Sequence, residues 1–210
     1  MATFPMQRVG MFGGAFDPPH LAHRRLAETA LTQLGLDRLH VIPTGQAWHK
    51  ARVLSAAPHR LAMCELAFGD LPGVKIDDRE IRRKGPSYTA DTLAELRALY
   101  PNARLYLILG ADQLLSFRSW VRWQEVLEQA RLAVADRPLD ETATEQGDRA
   151  VCPDLSEVDL PFEALHMPAW RLSATAVRQR AASDARSIGQ MVPEAVSSYI
   201  SQHSLYPTSS

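Results

Sequence analysis

The chain has 210 residues, of which 46% are hydrophobic and 22% are charged, and its formal net charge at pH 7 is −1. This length predicts one domain with a core large enough to need no disulfide or metal for stability. The composition excludes a disordered, collagen-like or purely coiled-coil chain. The near-zero charge gives no reason to expect a nucleic-acid partner.

Short apolar runs alternate with helical repeats along the chain. Apolar runs predict buried strands at 8–12, 38–42, 74–77, 104–109 and 131–135. Apolar residues at helical spacing predict helices at 21–34, 58–68, 89–99, 124–130, 173–182 and 194–203. This order predicts an α/β protein with a parallel sheet and helices on both of its faces.

The chain shows no internal repeat, and we expect a single domain over residues 1–210 with a helical carboxyl-terminal part at 171–207. Residues 138–161 are acidic and rich in turn formers, so they predict a surface excursion. That excursion either contains a short strand or helix or is a disordered loop. Parallel sheets bind ligands beyond the carboxyl ends of their strands, so the loops that follow the strands are where a site is expected.

Cysteine content and hydropathy bear on location. The two cysteines, Cys64 and Cys152, are too few for a disulfide framework and favour a reducing compartment. The first seven residues lack the apolar stretch of a signal peptide. No run of about 18 apolar residues predicts a membrane span. We therefore expect a cytoplasmic protein without a membrane partner, and the sequence specifies no oligomeric state.

The loop after the first strand is the strongest candidate for chemistry. It reads Gly13-Gly14-Ala15-Phe16-Asp17-Pro18-Pro19-His20-Leu21-Ala22-His23. Paired glycines allow a ligand close to the backbone. A helix that begins near Pro19 would direct free N–H groups and its dipole at the same space, with His20 and His23 on one face of its first turn. A phosphate site is one interpretation. The other is half a zinc site, although no third ligand at recognisable spacing accompanies the histidines.

Two further segments carry groups that suit phosphate. Ser173, Thr175 and Arg178 lie at the start of a later helix and could form a second phosphate cradle. Simple capping with a solvent-exposed arginine is the alternative. His49 and Lys50 form a basic pair on the loop after the second strand, which is either a phosphate clamp or an ordinary surface loop.

Other segments could bind an organic group. Ser87 and Thr89 could cap the helix at 89–99, and a free N-terminus there could hold a small carboxylate. Trp120 either stacks on a heterocycle or serves in packing. Asp112 follows the strand at 104–109, where an acid either binds ribose hydroxyls or caps the next helix.

Together these segments resemble the nucleotidyltransferase superfamily, which has a Rossmann-like, doubly wound parallel sheet. Residues 13–23 look like its G-G-x-F-D-P-x-H-x-x-H signature, with Ala22 where glycine is most frequent, and 172–178 look like its I-S-x-T-x-x-R signature. Within the superfamily, four segments are similar to the bacterial nicotinate-nucleotide adenylyltransferase family: 86–93, 110–112, 117–120 and 137–138.

The resemblance implies adenylyl transfer from ATP to nicotinate mononucleotide, giving deamido-NAD and pyrophosphate, with Mg²⁺ accompanying ATP. It implies that catalysis rests on His20, His23, Lys50 and Arg178. The residues implied for ATP binding are Gly13, Gly14, Phe16, His20, His23, Ser173, Thr175 and Arg178. Those implied for the mononucleotide are Thr89, Ala90, Asp112, Trp120 and Arg137.

Other functions stay open at this point. The acceptor could be nicotinamide mononucleotide or another phosphorylated compound, since an amide differs from a carboxylate in needing a hydrogen-bond acceptor as well as donors. The chain could also be a non-catalytic nucleotide-binding module, or a metal-dependent hydrolase that uses His20 and His23.

Overall fold

The computed structural model describes residues 6–45, 53–136, 154–168 and 172–207. The strands are β1 (Arg8–Gly14), β2 (Arg38–Pro43), β3 (Val74–Ile76), β4 (Arg104–Leu109), β5 (Arg131–Asp136) and β6 (Phe162–His166). The helices are α1 (Leu21–Gln33), α2 (Ala57–Phe68), α3 (Arg79–Arg82), α4 (Thr89–Leu99), α5 (Ala111–Leu115), α6 (Trp123–Gln129), α7 (Ala174–Ser183) and α8 (Glu194–Gln202). Short 3-10 helices occupy Phe117–Ser119 and Ala185–Ile188.

The strands form one six-stranded parallel sheet in the order β3-β2-β1-β4-β5-β6. The order runs one way from β1 to β3 and the other way from β4 to β6, which is the doubly wound arrangement that the alternating sequence pattern predicts. In the register of β1 with β4, Val9 lies opposite Leu105, and in that of β4 with β5, Leu107 lies opposite Leu132. The predicted α/β fold class is confirmed.

Every strand and helix expected from the sequence is present, with ends that differ by at most two residues. The expectation missed β6, which pairs in parallel with β5 at one edge of the sheet. Only Leu165 of β6 is buried, and Glu163 interrupts its apolar residues. An edge strand with one buried side chain gives no apolar run, so the pattern on which the other strands were predicted is absent here.

Contacts between residues divide the chain into two compact units. The first comprises Met1–Phe12, Leu26–His40 and Tyr88–Arg171, and the second comprises Gly13–Arg25, Val41–Ser87 and Leu172–Ser210. The expectation of a single domain therefore stays a prediction. Of the predicted excursion at 138–161, residues 138–153 lie outside the described part of the chain.

Each unit has its own buried apolar side chains. In the first unit these include Val9, Leu93, Leu96, Leu105, Phe117, Val126, Leu132 and Leu165. In the second they include Phe16, Met63, Phe68, Val177, Val196 and Ile200. Cys64 of α2 is buried in the second unit, and burial raises the pKa of its thiol. A buried thiol of raised pKa is unreactive. Among the described helices, none combines the length and the apolar character needed to cross a bilayer.

Two glycines, one in β1 and one after α1, stand where the structure favours a residue without a side chain. A Cβ on Gly10 would lie 2.7 Å from the Cδ1 atoms of both Leu36 and Leu39. Gly35 follows α1 with φ +57°, the left-handed conformation in which glycine commonly ends a helix. The sequence-based expectation that Gly35 stops α1 is confirmed.

Gly10→Ala should lower the free energy of unfolding by about 1–3 kcal/mol, because the added methyl group overpacks a buried contact between β1 and two leucines. Urea denaturation measures this change. Gly189→Ala is the matched control, since no atom lies within 4 Å of a Cβ there. Equal stability of the two variants would contradict the packing role of Gly10.

Candidate active site

The loop between β1 and α1 holds two histidines in a reciprocal helix cap. His20 precedes the first residue of α1, and His23 lies in the first turn. The backbone N–H of His20 donates to Nδ1 of His23 at 3.2 Å, and the backbone N–H of His23 donates to Nδ1 of His20 at 3.4 Å. This is the geometry of a capping box, with imidazole nitrogens in place of the usual side-chain oxygens. Helix α1 therefore begins at Leu21, which confirms the expectation of a helix start near Pro19.

The cap decides which ring nitrogen carries the hydrogen. A Nδ1 that accepts a backbone N–H carries no hydrogen, so each neutral ring has its hydrogen on Nε2 and can donate only from there. The rings of His20 and His23 stack with centroids 3.6 Å apart and an angle of 19° between planes. His20 is only 5% exposed, and burial lowers the pKa of its imidazole to about 4. His20 is therefore a neutral Nε2–H donor at pH 7.

The backbone N–H groups at the start of α1 are largely used within the protein. That of Leu21 donates to Met191 O at 2.9 Å, and that of His20 donates to Nδ1 of His23. With the His23 N–H in the cap, three of the first donors have internal acceptors. For these three donors the expectation of free N–H groups facing the site is not met, because a neighbouring segment and the histidines satisfy them. The donors that α1 supplies are the imidazoles.

The two glycines of the loop end β1, and one of them is packed against an aromatic ring. Gly13 and Gly14 are the last residues of β1. A Cβ on Gly14 would lie 3.0–3.2 Å from atoms of the Phe16 ring. Phe16 is 2% exposed, has φ 45°, and contacts His23 edge-on with centroids 5.2 Å apart. Gly14 therefore makes room for Phe16, and Phe16 supports the His23 ring.

Asp17 is 1% exposed, and its hydrogen bonds connect this loop to three other segments. Its Oδ2 accepts the backbone N–H of Ser55 at 3.2 Å, and its Oδ1 accepts the hydroxyl of Tyr206 at 2.7 Å. Its main-chain oxygen accepts Nη1 of Arg178 at 2.8 Å. The loop after β1, the segment before α2, helix α7 and the chain after α8 therefore meet at one residue.

Arg60 braces the same loop from α2. Its guanidinium is 2% exposed and donates to the main-chain oxygens of Ala15, Gly45 and Ser55 at 3.0, 3.3 and 3.0 Å. Burial lowers the pKa of Arg60, and the nearby Asp17 raises it. Sequence analysis missed this residue. The signal was present, because Arg60 occupies the same face of α2 as the apolar residues three, four, seven and eight positions later.

Helix α7 carries the second predicted set of phosphate-binding side chains, and one of them contacts Asp17. Ser173 is the N-cap residue, and its Oγ accepts the backbone N–H of Ala176 at 3.2 Å, so the predicted cap is confirmed. Nη2 of Arg178 donates to Oγ1 of Thr175 at 2.9 Å, while Nη1 binds Asp17. Arg178 is thus held in place by the loop that carries His20 and His23, and the alternative of a free solvent arginine is excluded. Lys50 and His49 lie outside the described residues.

A second group of predicted residues lies in the first unit, at the start of α4. Thr89 is the first residue of α4 and Ala90 is buried. The N-cap residue is Tyr88 with no side-chain cap, so the expectation that Ser87 or Thr89 caps this helix is wrong. Backbone N–H groups at a helix start without a side-chain cap suit an anion.

Trp120 lies two residues before Arg122, whose side chain contacts the first turn of α4. Arg122 donates to Asp91 in the first turn of α4 at 2.6 Å and to both oxygens of Glu125 at 3.0 and 2.9 Å. Arg122 has φ 60°, a left-handed conformation that turns the chain into α6. The Trp120 ring is partly exposed, with its centroid 5.3 Å from that of Phe117. A partly exposed indole suits stacking on a flat ring.

Asp112 also belongs to the first unit. It lies in the first turn of α5, and Gly110 is the N-cap residue without a side-chain cap, so Asp112 is not the cap. Its Oδ2 accepts Nε2 of Gln113 at 3.0 Å. Arg137, the remaining predicted residue, lies outside the described part of the chain. In residues 6–45, 53–136, 154–168 and 172–207, no group of three or more His, Cys, Asp or Glu side chains is placed to hold a metal ion.

Comparisons with known proteins identify similar chains. A family model described as cytidylyltransferase-like matches residues 11–180. A protein of Albidiferax ferrireducens, named a probable nicotinate-nucleotide adenylyltransferase, is 50% identical over 203 residues, covering 97% of this chain and 100% of that protein. A protein of Mycobacterium bovis with the same name is 37% identical over 198 residues, covering 94% of this chain and 91% of that protein.

Solved structures share the fold. A Plasmodium falciparum nicotinic acid mononucleotide adenylyltransferase complexed with NaAD has a TM-score of 0.73 at 18% identity, covering 95% of this chain and 97% of that one. A structure titled as a putative nicotinate-nucleotide adenylyltransferase from Vibrio parahaemolyticus has a TM-score of 0.66 at 18% identity, covering 97% and 98%. These likenesses confirm the Rossmann-like sheet.

The lowered pKa of His20 should make stability depend on pH. The folded pKa of about 4 lies below the ordinary 6.5, so the unfolded chain binds a proton first as pH falls. Stability from this group is present above pH 6.5 and is lost between 6.5 and 4. Between pH 7.5 and 5, the free energy of unfolding should fall by about 2 kcal/mol more in the wild type than in His20→Asn. Denaturant titrations at both pH values measure this. Equal losses of unfolding free energy in the wild type and in His20→Asn would contradict the burial of His20 as a neutral ring.

Proposed function

The chain belongs to the cytidylyltransferase-like family, and we propose from this premise that it transfers the adenylyl group of ATP to nicotinate mononucleotide in NAD biosynthesis. The products are deamido-NAD and pyrophosphate. The observation that carries the transfer reaction is a pair of Nε2–H donors and the Arg178 guanidinium arranged around one loop, because these groups suit phosphate oxygens. The acceptor follows from the relatives, of which one is 50% identical over the full chain.

The reaction needs no nucleophilic side chain. The 5′-phosphate of the mononucleotide is already an anion, and one of its oxygens attacks the α-phosphorus of ATP. The bond from the α-phosphorus to the bridging oxygen breaks, and pyrophosphate leaves with that electron pair. No proton needs to be removed, so catalysis consists of positioning and of neutralising charge on the phosphates. Neutral imidazole donors and a fixed guanidinium provide both.

We assign the ATP phosphates to the second unit. His20 and His23 donate from Nε2 to phosphate oxygens on which charge grows as pyrophosphate leaves. Arg178 neutralises the triphosphate from α7, with Thr175 and Ser173 beside it. Gly13, Gly14 and Phe16 shape the loop. Lys50 stays a prediction from the sequence.

We assign the pyridine ring of nicotinate mononucleotide to the first unit. The Trp120 ring would stack on the pyridine, and the backbone N–H groups of Thr89 and Ala90 would bind its carboxylate. The Asp91 carboxylate next to them is paired with Arg122, so it opposes a bound anion less than a lone acid would. Asp112 would bind hydroxyl groups of a nucleotide, and Arg137 stays a prediction.

Mg²⁺ enters as part of the MgATP substrate in this proposal. Phosphate oxygens and water are the ligands that Mg²⁺ prefers. Both carboxylate oxygens of Asp17 accept hydrogen bonds from the protein, which leaves the phosphates as the better ligands. We propose a cytoplasmic location for the reaction, which cell fractionation tests.

The proposed acceptor is tested by pyrophosphate release from MgATP across a panel of phosphorylated compounds. Nicotinate mononucleotide should give the highest kcat/KM, because backbone N–H groups alone serve its carboxylate, whereas an amide also needs an acceptor. Equal efficiency with nicotinamide mononucleotide would overturn the acid preference. Binding of ATP without product from any acceptor would favour a non-catalytic module, and hydrolysis that needs tightly bound zinc would favour a hydrolase.

His20→Ala should lower kcat by about 10²–10³-fold, as expected for loss of one donor to a developing negative charge. Steady-state rates with saturating MgATP and nicotinate mononucleotide measure this. His59→Ala is the matched control, because His59 lies in α2 of the same unit and bonds Tyr199 instead of the capped pair. A folded His20→Ala enzyme with near-normal kcat would show that the assigned role is wrong.

A further inference from the structure

Tyr206 lies beyond α8, outside both sequence signatures, and reaches the loop after β1. Its hydroxyl donates to Oδ1 of Asp17 at 2.7 Å, across 189 positions of sequence. Burial and the adjacent Asp17 carboxylate raise the pKa of the Tyr206 phenol, so the phenol stays protonated and acts as a donor. No motif in the sequence pointed to this residue.

The chain adopts an uncommon path to bring Tyr206 there. After α8, Ser204 has φ 48° and Tyr206 has φ 62°, both in the left-handed region that non-glycine residues rarely occupy. Between them, the backbone N–H of Leu205 donates to Ile200 O at 3.0 Å. Conformations of this kind persist where the surroundings determine them. Here the surroundings include the bond to a buried carboxylate.

Asp17 links Tyr206 to the group that faces the phosphates. Arg178 donates from Nη1 to the main-chain oxygen of Asp17 and from Nη2 to Thr175. The orientation of the guanidinium thus depends on where the Asp17 main chain lies. The Asp17 side chain accepts hydrogen bonds from the Ser55 N–H and from the Tyr206 hydroxyl. Loss of the hydroxyl leaves a buried carboxylate oxygen without that donor, and the loop must shift to compensate.

We propose that Tyr206 is a positioning residue of the triphosphate site, which acts through Asp17 to hold Arg178. The inference rests on the proposed function of Arg178 in binding ATP. It predicts an effect on ATP and not on the mononucleotide, because the residues that we assign to the pyridine ring lie in the other unit and have no described contact with Tyr206.

The test uses Tyr206→Phe, which removes one oxygen atom and keeps the ring. The kcat/KM for MgATP should fall by about 5- to 20-fold, less than direct loss of a bond to a charged group would cost. The KM for nicotinate mononucleotide should change by less than about two-fold. Tyr199→Phe is the matched control, since its hydroxyl bonds His59 in the same unit, away from Asp17, and it should retain wild-type kinetics.

A double-mutant cycle separates positioning from a general loss of structure. In an Arg178→Lys background, Tyr206→Phe should have less than about a two-fold further effect on kcat/KM for MgATP, because both changes act on the same contact. Three results would overturn the proposal. They are a double variant whose loss of kcat/KM for MgATP equals the product of the two single losses, an equal loss of kcat/KM for both substrates, and wild-type ATP kinetics in Tyr206→Phe. Melting curves set an assay temperature at which every variant is folded.

Calorimetric binding of a non-hydrolysable ATP analogue makes the test independent of turnover. Tyr206→Phe should weaken this binding and Tyr199→Phe should not. If the wild type makes no deamido-NAD, the proposed function fails, but the affinities for the ATP analogue still test whether Tyr206 positions the triphosphate site. If the wild type is active and the analogue binds both variants equally, the role of Tyr206 fails alone.

Discussion

A carboxylate buried as deeply as that of Asp17 is unstable unless both of its oxygens accept hydrogen bonds and a positive charge lies nearby. The donors come from Ser55 and Tyr206, and the positive charges come from Arg60 and Arg178. None of these residues is a sequence neighbour of Asp17. The loop that carries His20 and His23 can therefore take its described form only when α2, α7 and the chain after α8 are in place. The need to satisfy one buried charge brings together the residues that we propose for the phosphate site.

The local distribution of charge explains how a chain with net charge −1 can bind a triphosphate. The imidazole of His20 is held neutral, and the Arg60 guanidinium is turned toward main-chain oxygens. Arg178 is thus the described cation that we assign to the phosphates in the second unit. In the first unit, Arg122 is engaged by Asp91 and Glu125. Binding at either proposed site would therefore rely on directed donors more than on a broad positive field.

The parts of the molecule that depend on local pattern were predictable from the sequence. Apolar runs predicted β1 to β5. Ser173 predicted a helix start because its side chain caps a backbone N–H within one turn of the helix. The cap formed by His20 and His23 was not predictable from the sequence, because imidazole nitrogens are outside the usual set of capping acceptors. Tyr206 could not be found, since its partner is set by the tertiary fold. Arg60 was within reach, because a charged residue on an otherwise apolar helix face requires a buried partner.

The reciprocal histidine cap has a consequence for the thermodynamics of ligand binding. Each ring is fixed by a backbone hydrogen bond and by stacking before any nucleotide arrives. The donors therefore lose little rotational entropy when phosphate binds, and the site is preorganised for the charge that develops during transfer. Since the donating hydrogen of His20 is already on Nε2 at neutral pH, that ring can bind phosphate without taking up a proton. The heat that it contributes to nucleotide binding should then be independent of the ionisation enthalpy of the buffer.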